Sequence, residues 1–288
     1  MSRFFVLAPV WGWLALLLAV PLAIVLAIAL GETADRVPPF ALGFSLESFR
    51  TILTDPLYRD ALFMSLRVAG LSTAGCLLLG YPMALGIARA PERWRDPLLL
   101  AAMLPFWTGF PMRINAWIGL LADDGWMVAA LSWLTGSPVR LLYTDAALYL
   151  GVVYTYLPFM VLPLFASLSR LDPALDDAAA DLGAPPWVRL LRVTLPLSAP
   201  GIAAGCVLVF IPAVGEYAIP ELLGGPGAQL AGRVLWSEFF ANRDWPMASA
   251  LAVTLLVLLL VVPALARQML AARKYCNNDT LNRFQQRG

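Results

Sequence analysis

The sequence predicts an all-α protein that crosses a membrane several times, and its composition and its long apolar runs support this fold class. Apolar residues make up 60% of the 288 residues, charged residues only 14%, and the mean hydropathy is +0.74. A single water-soluble core does not bury that much apolar side chain. The apolar residues also cluster into runs of about 20 or more, the length that a helix needs to span a bilayer.

Six such runs predict six transmembrane helices. They cover approximately residues 5–30, 61–88, 97–121, 146–168, 198–219 and 246–271. The first run is much longer than the roughly 7–15 residues of a signal-peptide core, so we expect a retained helix. Prolines inside several runs are tolerated where neighbouring helices satisfy the freed carbonyls, which favours a packed bundle. We therefore expect one transmembrane domain over 1–271 and a polar tail over 272–288.

The arginine and lysine residues predict the orientation of the chain. With the N-terminus in the cytoplasm, twelve of these residues lie in inner segments and six in outer loops, while Arg67 and Arg113 lie inside spans. The positive-inside rule therefore places both termini in the cytoplasm. Prolines, aromatic residues and short amphipathic stretches in the outer loops 31–60, 122–145 and 220–245 predict that these loops are ordered.

The composition also excludes several classes of function. The chain has no histidine, which removes Ser-His-Asp and Cys-His nucleophile systems and nearly all imidazole-based zinc or haem sites. A net charge of +1 lacks the basic footprint of a nucleic-acid-binding protein. A phosphate-binding GxxxxGK[ST] sequence is absent as well. We expect no catalytic residues, no metal site and no nucleic-acid partner.

The inner loop 169–196 carries the most information about mechanism. Asp172 followed by Pro173 is a typical helix start, and Gly183 stands where a left-handed residue would end that helix. Pro185 and Pro186 permit a second start, and Pro196 is expected to break the chain before the next span. The loop is thus predicted to be a helix-turn-helix that docks another protein, although a folded connector without a partner would have the same pattern.

This loop resembles the EAA signature, EAA-x3-G-x9-I-x-LP, of permease subunits of binding-protein-dependent ABC importers. The matching residues are Asp177, Ala178, Ala179, Gly183, Val193, Leu195 and Pro196. The chain departs from the signature at Asp177, where glutamate is usual, and at Val193, where isoleucine is usual. By this resemblance the loop is the coupling helix that sits in a groove of the ATPase subunit, and the fold is that of a type I ABC importer permease.

Longer stretches are similar to the polyamine permeases, which transport putrescine and spermidine. They are YTYLPFM at 154–160, VFIPAVGEYAIPELLGGP at 209–226 and GRVLWSEFFANRDWPMASA at 232–250. The resemblance implies a bacterial inner-membrane protein that pairs with a second related permease, two ATP-binding cassette subunits and a periplasmic substrate-binding protein. ATP and magnesium would be bound by the ATPase, and this chain would need no cofactor of its own.

A polyamine path would require carboxylates for the ammonium groups and aromatic faces for the methylene spacers. The candidates are Glu216, Tyr217, Tyr154, Tyr156 and Trp107. Glu216 is the one acidic residue that the sequence places firmly inside a span, and a structural ion pair with Arg67 or Arg113 is the alternative to cargo binding. Glu221, near the outer end of the same span, either belongs to the path or is solvated.

Other classes of function stay open at this stage. An importer of another solute, such as an osmolyte, iron or an oxyanion, would share the coupling loop. A secondary carrier would work without an ATPase, and its inner loop would have no partner. An intramembrane enzyme would need a catalytic constellation that the missing histidines and scattered carboxylates do not provide.

Overall fold

A computed structural model describes residues 3–261, and these residues are predominantly helical. Their contacts divide them into two compact units, one formed by 3–59 with 235–261 and the other by 60–234. The expectations for the tail 272–288 and for the end of the span 246–271 lie outside the described residues.

The first unit contains a long N-terminal helix, a small sheet and the last described helix. Its elements are α1 (Arg3–Ala29), β1 (Glu32–Thr33), β2 (Phe40–Ala41), α2 (Glu47–Thr54) and α14 (Trp245–Val261). Strands β1 and β2 are antiparallel, with Glu32 opposite Ala41 and Thr33 opposite Phe40. The Trp245 ring stacks on Phe40 and Phe239, with ring centroids 6.0 and 4.9 Å away. From Trp11 to Leu26, the large apolar side chains of α1 are exposed except that of Val25, as expected for a helix that faces lipid.

The second unit carries the remaining helices. They are α3 (Pro56–Arg89, which starts in the first unit), α4 (Glu92–Trp107), α5 (Phe110–Leu121), α6 (Trp126–Thr135), α7 (Asp145–Leu168), α8 (Pro173–Asp181), α9 (Pro186–Arg189), α10 (Leu195–Leu197), α11 (Ala199–Val214), α12 (Ala218–Leu222) and α13 (Ala231–Phe240, which ends in the first unit). A π-helical turn, Leu190–Thr194, joins α9 to α10. Helices α2, α6, α12 and α13 confirm that the segments 31–60, 122–145 and 220–245 contain ordered structure.

Three helices in the described part of the chain are long and apolar enough to cross a membrane. They are Trp11–Ala29, Pro56–Arg89 and Asp145–Leu168, and they coincide with the first, second and fourth predicted spans. The helical stretches Pro186–Leu197 and Ala199–Val214 count as a fourth span if they form one bent unit, with an angle of 68° between them. The number of six spans is not confirmed by these helices.

The third predicted span, 97–121, is not one continuous helix. Helix α4 ends at Trp107, Thr108 and Gly109 have extended backbone, and α5 starts at Phe110. Pro111 explains the break, because in a continuous helix it could not donate a hydrogen bond to the carbonyl of Trp107, and its ring would clash with that carbonyl. Arg113 replaces one of the main-chain hydrogen bonds that the break removes, since its Nη1 donates to the main-chain oxygen of Pro105 at 2.7 Å.

Helices α3, α7 and α11 form the core of the second unit through close contacts at glycines. Met160 of α7 is fully buried, and its side chain lies against Gly80 of α3 and Gly205 of α11. A Cβ atom on Gly80 would come within 3.0 Å of Met160 Cγ, and one on Gly205 within 2.6 Å of Met160 Sδ. At Gly201 a Cβ would meet Ser167 Cβ at 2.5 Å. The missing side chains therefore permit this close helix packing.

Candidate functional site

The loop 169–196 folds as the sequence predicts over its first half. Helix α8 starts after Asp172, whose Oδ1 accepts a hydrogen bond from the main-chain nitrogen of Ala174 at 3.0 Å. It ends in a Schellman motif, in which the nitrogens of Gly183 and Ala184 donate to the carbonyls of Ala180 and Ala179. Gly183 has φ +79°, so the left-handed position is confirmed.

The second half of the loop differs from the prediction at Pro196. Helix α9 starts at Pro186 as expected, but Pro196 lies inside α10 and does not break the chain. The 68° bend follows at Ser198, between α10 and α11. The backbone before Pro196 is already helical, since Thr194 has φ −66° and ψ −47° and the π-helical turn Leu190–Thr194 leads directly into α10.

The outer surface of α8 is available to a partner. Asp177 and Ala178 are exposed, Leu182 is 89% exposed, and Ala179 is half-buried. No heavy atom lies within 4 Å of the position that a Gly183 Cβ would occupy. Of the other residues of the signature, Val193 and Leu195 are half-buried and Pro196 is exposed. The structure thus presents the first four signature residues on one short helix and its turn.

The inner side of α8 carries an ion-pair cluster that the sequence did not reveal. Asp176 Oδ2 lies 3.2 Å from Arg189 Nη1 and 3.7 Å from Arg89 Nη2. A cavity of about 430 Å³ adjoins this cluster and is lined by residues of α3, α7, α8 and the end of the loop, Val193 among them. No short sequence spacing links Arg89, Asp176 and Arg189, which explains why they were missed.

The fifth predicted span, 198–219, is also interrupted, and Glu216 lies in the interruption. Helix α11 ends at Val214, and α12 begins at Ala218, so we call residues 215–217 the polar break. Glu216 is therefore not inside a transmembrane helix, as the sequence predicted, but at a junction between two helices. Pro212 near the end of α11 and Gly215 after it weaken helix propagation at this point.

The Glu216 carboxylate is held by three donors. Its Oε2 accepts a hydrogen bond from the hydroxyl of Tyr156 at 2.5 Å, and its Oε1 accepts from the main-chain nitrogens of Ala218 at 3.0 Å and Ile219 at 3.4 Å. Glu216 thus supplies the acceptor for the first turn of α12. Among the described residues it forms no ion pair with Arg67 or Arg113, the alternative that the sequence left open.

Two of the four aromatic candidates lie near Glu216, and the other two lie elsewhere. Tyr156 is buried beside Glu216, and Tyr217 is 45% exposed in the polar break. Tyr154 packs edge-to-face on Trp117, with ring centroids 5.1 Å apart. Trp107 is 74% exposed at the end of α4. The structure therefore brings Tyr156 and Tyr217 to Glu216 and places Tyr154 and Trp107 in other environments.

Two further features surround the polar break. Phe159 contacts both Tyr156 and Phe106, with ring centroids 6.1 and 4.9 Å away, and the Arg113 guanidinium lies 5.8 Å from the Phe106 centroid. Gly232 of α13 lies against the main chain of the break, since a Cβ there would come within 2.8 Å of the Glu216 carbonyl oxygen. The sequence analysis assigned no role to Gly232, because close approach to a distant main chain has no local pattern.

The end of the second unit contains an ion pair near the polar break. Arg233 Nε lies 2.5 Å from Glu221 Oε2, and the Glu221 side chain is 52% exposed. Glu221 is thus paired rather than simply solvated. Within the described residues, no group of three or more cysteine, aspartate, glutamate or histidine side chains is arranged to hold a metal ion.

These features define a helical membrane protein with a broken polar junction and a helix-turn-helix loop. Residues 77–274 match the family described as binding-protein-dependent transport system inner membrane component, and the chain belongs to this family of transport permeases.

Individual proteins of related sequence or fold support this assignment. The chain is 38% identical over 256 residues to the spermidine/putrescine transport system permease protein PotB of Salmonella typhimurium, covering 88% of each chain. It is 38% identical over 250 residues to PotB of Escherichia coli, covering 86% of this chain and 90% of that protein. The fold resembles a chain of a bacterial alginate ABC transporter crystallised with an alginate pentasaccharide-bound periplasmic protein, with a TM-score of 0.69, 22% identity and 92% of each chain covered.

Proposed function

We propose that this chain forms half of the translocation pathway of an ATP-driven ABC importer for polyamines, putrescine or spermidine or both. The observation that carries the proposal is the 38% identity to spermidine/putrescine permeases over 88% of both chains. A likeness that covers nearly the whole chain includes the polar break and the coupling loop together. The likeness to the alginate transporter supports the fold alone.

The proposed assembly contains a second, related permease, two ATP-binding cassette subunits and a periplasmic substrate-binding protein. The ATPase subunits bind ATP and magnesium, and hydrolysis takes place there. Asp177, Ala178, Ala179 and Gly183 dock the coupling loop onto an ATPase, while Val193, Leu195 and Pro196 connect the loop to α11. The exposure of Asp177, Ala178 and Leu182 supports this arrangement, because a docking helix needs a free outer face.

The proposed topology has six spans, both termini in the cytoplasm and a single permease domain over 1–271, with 272–288 as a cytoplasmic tail. Helices α4 and α5 together form the third span, and α11 with α12 the fifth. Broken helices are compatible with a membrane protein where the freed main-chain groups find partners inside the bundle. Arg113 and Glu216 supply such partners at the two breaks.

Glu216 is proposed to meet the ammonium groups of the cargo. Its carboxylate is half-buried and lies beside the aromatic residues Tyr156 and Tyr217, which suits a cation with methylene spacers. Among the described residues no arginine lies within ion-pair distance of this carboxylate, which leaves one face of it for a cation from the path. Tyr154 and Trp107 are proposed to line the same path on other helices.

The experiment that tests the proposal measures ATP hydrolysis by the reconstituted complex in lipid. The binding protein is added empty or loaded with putrescine, spermidine, an osmolyte or an oxyanion. We expect stimulation only by the polyamine-loaded protein. Stimulation by another cargo would support a permease function but contradict polyamine as the substrate. The absence of any associated ATPase would contradict the proposed coupling to ATP hydrolysis.

A further inference from the structure

We infer that Asp176 is the positioning residue that connects the coupling loop to α3, so that a displacement of α8 reaches a membrane-spanning helix through one carboxylate. The inference rests on the proposed function, in which the ATPase displaces α8. It concerns a residue outside the EAA signature and assigns it a different task from that of Asp177.

The geometry makes Asp176 the meeting point of three elements. It lies in the first turn of α8, and its Oδ2 pairs with Arg189 of α9 and with Arg89 at the last residue of α3. Arg189 Nη1 also reaches the main-chain oxygen of Asp176, at 3.5 Å. One carboxylate oxygen thus links the coupling helix both to the following helix and to α3.

Burial and helix ends favour this arrangement. The Asp176 side chain is 31% exposed, that of Arg189 22% and that of Arg89 56%, so the attraction to Arg189 is less screened than the attraction to Arg89. Asp176 stands near the N-terminus of α8 and Arg89 at the C-terminus of α3, where the respective helix dipoles stabilise an anion and a cation. In contrast, Asp177 and Asp181 are exposed and form no ion pair among the described residues.

The cavity of about 430 Å³ leaves the Arg89–Asp176 ion pair as a main contact between α3 and α8. It is lined by Leu85 and Arg89 of α3 and by Leu175 and Asp176 of α8, so the apolar packing between these two helices is incomplete. Where apolar packing is incomplete, a displacement is passed on by the polar bridge that remains. The Arg89–Asp176 pair is such a bridge.

A second contact ties α3 to the far end of the loop. The hydroxyl of Tyr81 lies 3.0 Å from Ser198 Oγ, and both residues are buried. Ser198 is the point of the 68° bend into α11. Helix α3 therefore contacts α8 through Asp176 and the bend that follows the loop through Ser198, and it moves with the loop when both contacts are intact.

The test compares variants of the complete reconstituted complex in proteoliposomes, by measuring labelled spermidine taken up per ATP hydrolysed. We expect Asp176→Asn and Arg89→Gln each to lower this ratio about fivefold, the smaller end of typical coupling effects. The double variant should be no worse than either single one, because both remove the same link. Asp176→Glu, which keeps the carboxylate, should retain most of the ratio.

Arg93→Gln serves as the matched control, since Arg93 is exposed in α4 and forms no ion pair among the described residues. The inference is overturned if the ratio is unchanged in Asp176→Asn, or if the reductions of the two single variants multiply in the double variant. It is also overturned if the Asp176→Asn complex loses the ATPase subunit. If Asp176→Asn does not assemble at all, an unchanged ratio in Arg89→Gln overturns it. Failure of the proposed function is recognised separately, because the wild-type complex would then lack ATPase activity stimulated by loaded binding protein.

Discussion

Glu216 performs two tasks at the scale of a single residue. Its Oε1 accepts the main-chain hydrogens at the start of α12, and its Oε2 accepts the Tyr156 hydroxyl. A glutamine can reproduce both kinds of contact, because its amide oxygen accepts and its amide nitrogen donates to the tyrosine oxygen. The charge can therefore be removed while the local structure is kept.

We predict that Glu216→Gln lowers polyamine uptake about tenfold or more while the complex still assembles. A hydrogen bond to a charged group contributes roughly 1.5–3 kcal/mol, and 1.4 kcal/mol corresponds to a factor of about ten. The measurement is labelled spermidine uptake into proteoliposomes, with complex recovery determined in parallel.

Glu92→Gln is the control for this prediction, because Glu92 is exposed at the start of α4 and forms no ion pair among the described residues. Glu216→Ala should in addition weaken the assembly, since it removes the acceptor for α12. Normal uptake by Glu216→Gln would mean that the carboxylate serves only the helix start.

The sequence was informative for individual residues where a local rule applied. Asp172 and Gly183 were predicted correctly because helix starts and left-handed ends depend on neighbours in the chain. The contact of Glu216 with Tyr156 was not predicted, because a hydropathy pattern does not reveal which residues meet across helices. Asp176 was missed for the same reason, since Arg89 lies 87 residues earlier in the chain.

At the scale of the element, the turn at Gly183 determines the shape of the coupling loop. Its φ of +79° is a conformation that β-branched residues rarely adopt, while the space around its Cβ position is empty. A substitution here therefore changes the backbone conformation without a steric clash, and it affects only the relation between α8 and α9.

We predict that Gly183→Val leaves the protein inserted but uncouples ATP hydrolysis from transport, with uptake per ATP reduced about fivefold. A left-handed residue with a side chain costs about 1–2 kcal/mol, so the turn would relax and displace α8 from its ATPase. Uptake and ATP hydrolysis in the same proteoliposomes give the ratio.

Gly227→Val is the comparison, because Gly227 also has open space around it but no left-handed backbone. It should behave like the wild type. A Gly183→Val protein with an unchanged ratio would argue against a coupling role for this turn.

The apolar runs predicted where membrane segments are but not whether they are continuous. The runs 97–121 and 198–219 are each divided into two helices, at 108–109 and at 215–217. Hydropathy averages over about 20 residues, whereas a break depends on a few main-chain hydrogen bonds and on the side chains that replace them. Pro111 and the pair Pro212 and Gly215 were the local signals of these breaks.

At the scale of the whole molecule, the distribution of arginine and lysine predicts which loops face the cytoplasm. In the Ser137→Cys variant, whose substitution lies in the loop 122–145, we expect the new thiol to react with a membrane-impermeant maleimide in intact spheroplasts. In the Asp181→Cys variant, whose substitution lies in the loop 169–196, the thiol should react only after the membrane is permeabilised. Both positions are exposed, so their reactivity reports the side of the membrane.

The labelling requires a protein in which the three native cysteines are replaced by serine. That parent protein should remain unlabelled on both sides of the membrane. Labelling of Asp181→Cys in intact spheroplasts would invert the proposed topology and place the coupling loop away from any cytoplasmic ATPase.

The position of Met160 between Gly80 and Gly205 limits the kinds of motion that transport can use. If α3 slid along α7 by one helical turn, about 5.4 Å, Cys76 or Ala84 would replace Gly80 against the Met160 side chain. A Cβ atom at the Gly80 position would lie within 3.0 Å of Met160 Cγ, so such a slide would force a collision. We therefore expect α3, α7 and α11 to move together as one block instead of past one another.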